Sequence, residues 1–170
     1  MRTDPSFSKA AFPFEFWLKR TLFIYCLLIT IGHAFAQTSS KATGYYQAQV
    51  IFPNETRIQV DVADTDEKRH LGLGERSSLA VGKGMLFIFE QRELHGFWMK
   101  KMRFPIDIIW LDNYRVVHIE HSVPAPPNPD SDELPIYKPS NLANFVLEIP
   151  AGQARIVGLQ VGQRLRYVFP

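Results

Sequence analysis

The sequence predicts an all-β fold: a single compact β-sandwich, jelly-roll-like or distorted-barrel domain carrying one or two short helices. Three observations lead there. Thr56-Arg57-Ile58-Gln59-Val60-Asp61-Val62 alternates polar and apolar residues at period two, the pattern of a strand with one face buried. Met85 to Phe89, Phe97 to Met102 and Ile106 to Leu111 are apolar runs of strand length separated by polar breaks. Turn-forming residues recur between these runs, and few stretches open like a helix.

Taken in order, Pro53-Asn54 turns the chain, so that Tyr45 to Phe52 and Thr56 to Val62 form a hairpin. Asp64-Thr65-Asp66-Glu67 offers an N-cap oxygen with an acidic residue three positions on, which starts a short helix ending near Gly72 or Gly74. After a Gly82 and Gly84 turn, Met85 to Phe89 and Phe97 to Met102 read as strands. In the second, Trp98, Lys100 and Met102 share one face, and Phe97, Met99 and Lys101 the other. Asp112-Asn113-Tyr114 joins Ile106 to Leu111 with Arg115 to His121 in a second hairpin. Val123 to Pro135 contains five prolines with Asp130, Asp132 and Glu133, a composition no sheet interior accepts, and reads as a long surface loop. Phe145 to Ile149 resumes a strand, Pro150-Ala151-Gly152 turns, Gln153 to Gly158 makes one or two helical turns, and Arg164 to Phe169 closes with a last strand.

The chain has 170 residues, 46% hydrophobic and 21% charged, enough for one globular core and too apolar for a mainly disordered protein. Its single cysteine excludes an intramolecular disulfide framework and a cysteine-based zinc finger. Arg2, Lys9, Lys19 and Arg20 outnumber Asp4 and Glu15, and the charge-free run Thr21 to Ile31 follows them. Eleven helical residues span only about 17 Å, too short to cross a bilayer, and Ala34-Phe35-Ala36 places small residues at the two signal-peptidase positions. Residues 1–36 are therefore expected to be a signal peptide cleaved after Ala36, residues 37–44 a flexible leader, and residues 45–170 the folded domain, periplasmic or secreted. The alternative is an N-terminal membrane anchor lengthened by Phe14, Phe16 and Trp17, which Lys19 and Arg20 interrupt. Cys26 lies inside the apolar run after the bulky Tyr25, unlike a lipoprotein cleavage site, so the mature chain has no cysteine. Removing 36 residues, four basic and two acidic, from 170, 19 and 17 leaves 134 residues with 15 charges of each sign. Such a balance gives no case for nucleic-acid binding, and contact with a membrane is expected only through the signal segment.

Several motifs together resemble the DUF192 family, also called UPF0127. They are Arg69-His70-Leu71-Gly72-Leu73-Gly74-Glu75-Arg76, Gly84-Met85-Leu86-Phe87-Ile88-Phe89, Phe97-Trp98-Met99-Lys100, Pro105-Ile106-Asp107-Ile108, Leu147-Glu148-Ile149-Pro150-Ala151-Gly152 and Gly158 to Gly162. The resemblance covers about Ile58 to Val168 and implies a compact β-sandwich or jelly-roll-like fold with short helices; the family has no settled biochemical role. This chain departs from the family pattern at Gly74, where Met is usual, and at Lys101-Met102, where Asn-Thr is usual. It also lacks a cysteine pair that many relatives carry in the proline-rich loop before the position of Tyr137.

Arg69, Arg76 and Lys100 are cations within or beside these motifs, and Trp98 alternates with Lys100 along its predicted strand. A guanidinium fork beside an aromatic plate suits a small carboxylated, phosphorylated or sugar-like ligand. The reading is a non-enzymatic or weakly catalytic binding module whose pocket uses Arg69, Arg76, Trp98, Lys100 and Asp107, with residues 123–135 as its rim. It needs no cofactor, and no protein partner is indicated. Against it stands a purely structural role, in which Arg69 and Arg76 pair with Asp107 or Glu148, two acids in apolar strands that burial would oblige to find counter-ions. Two further alternatives are a soft-metal (copper) site using His95 and Met99, which an extended chain would hold about 13 Å apart, and a hydrolase working through Asp107 and Glu148. No nucleophile motif is present: there is no Gly-x-Ser-x-Gly, and Ser77 and Ser78 stand in a polar turn.

Overall fold

A computed structural model describes residues 44–170, so the predicted signal segment and nearly all of the predicted leader lie outside the described residues. Seven strands, β1 (Gln47–Ile51), β2 (Arg57–Ala63), β3 (Lys83–Glu93), β4 (Ile106–Asp112), β5 (Arg115–Val123), β6 (Ala143–Pro150) and β7 (Arg166–Val168), form one sheet in the order β5-β4-β6-β3-β2-β1-β7. The sheet curls into a half-barrel, and with only two short helices, α1 (Asp66–Leu71) and α2 (Gln153–Ile156), the domain is all-β. Among the fold variants expected from the sequence, this is the barrel-like one. Its outer strands approach each other at one end, where Val116 N–H donates to the Gln163 carbonyl and Leu165 N–H to the Tyr114 carbonyl, each at 2.8–2.9 Å.

Both predicted hairpins form, β1 with β2 and β4 with β5. β2 and β3 are parallel, and a parallel pair requires a crossover. Residues 64–82 supply it, and α1 opens it: the Thr65 side chain accepts from Lys68 N–H at the N-cap, and Gly72, at φ 52°, ends the helix.

The long apolar runs are explained by two cores, one on each face of the sheet. Alternate residues of β3, β4 and β6 feed them: Leu86, Leu147, Ile149, Ile109 and Leu111 face one, with Ala154, Val157 and Leu159 closing it. Met85, Phe87, Val146, Ile108 and Trp110 face the other, under Leu73, Met99 and Met102. A strand covered on both sides has no polar face to alternate with. Gly84 sits where β3 passes closest to its neighbours, since a Cβ there would lie 2.7 Å from the Glu148 carbonyl.

One predicted strand is corrected. Residues 97–102 do not join the sheet: Phe97 exchanges both backbone hydrogen bonds with Tyr137 at 2.8 Å, and the chain then turns, with Met102 N–H donating to the Met99 carbonyl and Lys101 at φ 59°. The run is apolar because Met99 and Met102 are driven into the second core, a demand that needs no strand. β3, by contrast, extends past Phe89 through an exposed polar tip that its apolar run did not signal.

Candidate functional site

Over the second core, the exit of α1 approaches residues 96–102, and a cavity of about 170 Å³ opens between them. The approach is close: Glu75 N–H donates to the Lys101 carbonyl at 3.1 Å, and a Cβ on Gly74 would lie 3.4 Å from the Lys100 carbonyl. Phe87, Phe89 and Phe97 make the aromatic wall, with Phe87 and Phe97 edge to face at 4.9 Å between ring centres. Leu73 and Met102 add apolar surface, and Arg69, His70, Lys100 and Glu148 supply the polar groups. Trp98 stands at the opening, partly exposed.

The two cations are held from outside. Arg69 donates to the Ile88 carbonyl at 2.6 Å and to Asp66 at 2.7 Å, with its guanidinium 5.2 Å from the centre of the Phe89 ring. Lys100 pairs with Asp132 and lies 5.3 Å from the centre of a Trp98 ring. The acids Asp66 and Asp132 are 94% and 90% exposed, whereas the side chains of Arg69 and Lys100 are only 20% and 27% exposed. Both ion pairs are thus solvent-screened on the acid side and weak, so an anion entering the cavity competes with Asp66 and Asp132 for the two cations.

Glu148 is the polar group at the buried end. It occupies a row across the sheet that runs Asp61, Met85, Glu148, Ile108, all on the face of the second core. It is 5% exposed and has no hydrogen-bond or ion-pair partner among the described residues. Burial pushes its carboxyl up to about 8, against the opposing pull of the Arg76 guanidinium. Near neutral pH it is thus mostly a carboxylic acid, able to donate as well as accept.

The structure brings Arg69, Trp98 and Lys100 to one cavity and leaves Arg76 and Asp107 away from its walls. Arg76 pairs with Asp61 at 2.9 Å, beneath the Tyr45 ring. Asp107 is fully buried on the opposite face, where it accepts from Ser122 N–H at 2.7 Å, Gly152 N–H at 3.0 Å and Ala154 N–H at 2.8 Å. Neither arginine pairs with Asp107 or Glu148, so the structural pairing weighed from the sequence does not form. The proline-rich loop does not line the cavity either; it reaches it through Asp132 and forms an apolar groove of its own over Met99 and Tyr137. Trp98, Lys100 and Met102 do meet at one place, through a turn rather than a shared strand face.

The soft-metal alternative finds no support. The His95 ring stacks on Phe89 with 3.7 Å between centres and its Nε2 lies 3.1 Å from the Gln91 carbonyl, while Met99 is buried under the proline-rich loop. Among the described residues no three His, Cys, Asp or Glu side chains gather where a metal ion could sit. The hydrolase alternative loses its pair of carboxylates, because Asp107 and Glu148 point to opposite faces.

Residues 49–167 match the DUF192 family model, described as "Uncharacterized ACR". The chain belongs to this family. A UPF0127 protein from Pyrococcus abyssi (strain GE5 / Orsay) is 30% identical over 115 residues, covering 65% of this chain and 86% of its own. Two crystal structures share the fold. One, from Sinorhizobium meliloti 1021 and described as a candidate transcription regulator, has a TM-score of 0.62 at 25% identity, covering 72% of this chain and 93% of its own. The other, a protein of unknown function from Novosphingobium aromaticivorans DSM 12444, has a TM-score of 0.60 at 22% identity, covering 76% and 97%. Membership in DUF192 fixes a β domain of uncharacterised function, and any assignment of activity has to come from the cavity.

Proposed function

We propose that this DUF192 domain binds a small anionic ligand of single-ring size, with a carboxylate as the preferred head group. The observation that carries the reading is the convergence of Arg69, Trp98 and Lys100 on one cavity that also contains the buried carboxyl of Glu148, which makes no hydrogen bond or ion pair among the described residues. A cavity of about 150 Å³ is enough for benzene, so the volume here suits one ring and not a polymer. The aromatic wall favours an unsaturated or aromatic body, and the two cations that line the cavity favour a negative head. Phosphate and sugar-like ligands share part of this chemistry but leave the phenylalanine wall without apolar contact. Nothing in the arrangement supplies a nucleophile or a second carboxylate, which favours binding over catalysis.

The test is a thermal-shift comparison of benzoate, inorganic phosphate and a neutral monosaccharide on the purified protein, repeated on Arg69→Ala and Trp98→Ala. A ligand selective for the folded state raises the melting temperature with concentration. Benzoate is expected to stabilise the unsubstituted protein, and both variants are expected to lose that response. Absence of a saturable response to all three compounds would remove the binding reading.

Export is proposed alongside. The basic, apolar and small-residue pattern of residues 2–36 supports a periplasmic or secreted mature chain beginning at Gln37.

A further inference from the structure

We infer that Glu148 is the specificity-determining group of this cavity: as a carboxylic acid it donates its O–H to the carboxylate of the ligand, and binding is lost when Glu148 ionises. The inference rests on the proposed binding of a small carboxylate and goes beyond it by assigning the proton and its owner.

A carboxyl only 5% exposed that makes no hydrogen bond or ion pair among the described residues, with the Arg76 guanidinium acting on it only beyond contact, is costly in a β-sheet, and an apolar side chain would fill the same row with Met85 and Ile108. Asp107 shows how this fold treats a buried acid that serves the structure: three backbone amides satisfy it. Glu148 has none of these, and the space beside it is the cavity. The groups around it come from other elements: Asp61 in the same row two strands away, Arg76 paired with that Asp61, and Arg69, His70 and Lys100 on the cavity walls. The cations can neutralise an incoming carboxylate, but cations alone would accept any anion. A buried acid that offers a proton selects an oxyanion able to accept that hydrogen bond over a simple anion that is not, the phenylalanine wall then selects among oxyanions, and the short O–H···O⁻ contact between acid and carboxylate is of the strong, charge-assisted kind. Once ionised, the same group would place like charge against the ligand's head.

Because its carboxyl titrates at about 8, the competent form falls about tenfold between pH 7.0 and pH 9.0. Calorimetric titration of the full protein with benzoate at these two pH values tests this. The expected result is about tenfold weaker binding at pH 9.0 in the unsubstituted protein. In Glu148→Gln, whose amide still donates, the affinity should be the same at both pH values. A second readout does not depend on that variant folding: in two buffers of different ionisation enthalpy at pH 8.5, benzoate binding should take up about 0.8 proton. Equal affinity of the unsubstituted protein at both pH values, a pH dependence that persists in Glu148→Gln, or binding without proton uptake overturns the assignment while leaving the binding site standing. No benzoate binding at pH 7.0 overturns both.

Discussion

Asp107 and Glu148 lie on paired strands one register position apart, and their carboxyl groups leave the sheet on opposite faces. Asp107 is opposite Ile149 and Glu148 is opposite Ile108, so the alternation of the two strands separates them. Asp107 faces the first core and is saturated by the amides of Ser122, Gly152 and Ala154, tying the end of β5 and the start of α2 to β4. Glu148 faces the second core and makes no hydrogen bond or ion pair among the described residues, with only the Arg76 guanidinium acting on its charge. Two acids embedded in similar apolar runs thus have opposite surroundings, one met by three backbone amides and one open to the cavity.

Replacing Asp107 with Ala should destabilise the domain by about 3 kcal/mol or more, because three amides lose the carboxyl that accepts from them. Urea unfolding measures it. Molecules that remain folded should keep their affinity for benzoate, since the cavity is on the other face.

The stability of the protein should fall as pH rises from about 4.5 to about 8. Across that window Glu148 stays protonated in the folded state and ionises in the unfolded one, so the native state holds more protons and loses its advantage with each rise in pH. At pH 7 the contribution is about 3 kcal/mol relative to acid conditions. Denaturant midpoints at several pH values, compared between the unsubstituted protein and Glu148→Gln, check it: the variant should lose this part of the slope.

The strands were legible because both faces of the sheet are covered, which writes continuous apolar runs at Met85 to Phe89, Ile106 to Leu111 and Phe145 to Ile149. The same property misled at Phe97 to Met102, where Met99 and Met102 are buried by a turning segment and periodicity cannot separate that from a strand. Of the site, Arg69, Trp98 and Lys100 could be read from residue type. That Asp107 turns to backbone amides and Glu148 to the cavity depends on register, which a lone acid in an apolar run does not reveal. The phenylalanine wall was equally hidden, since Phe87, Phe89 and Phe97 look like ordinary core.

Arg69→Ala should lower stability by only about 1 kcal/mol, the worth of its contacts with the Ile88 carbonyl and the exposed Asp66. Benzoate affinity should fall at least tenfold, which corresponds to about 1.4 kcal/mol. Thermal unfolding with and without ligand separates the two effects.

Gly84→Ala should destabilise by about 1–3 kcal/mol, because the added Cβ meets the Glu148 carbonyl at 2.7 Å as well as Val60 and Ile149 at 3.2 Å each. Gly82→Ala is the contrasting case: no atom lies within 4 Å of the added Cβ, and the cost comes only from φ 79°. Chemical denaturation of the two variants distinguishes packing from backbone strain.

The most direct measurement is the titration of the Glu148 side-chain carboxyl by carbon-detected nuclear magnetic resonance, with and without benzoate. A midpoint near 8 in the free protein that moves higher when benzoate is bound is the predicted result, because a bound anion favours the neutral acid. A midpoint in the ordinary glutamate range near 4.5, or one that benzoate leaves in place, would contradict the account.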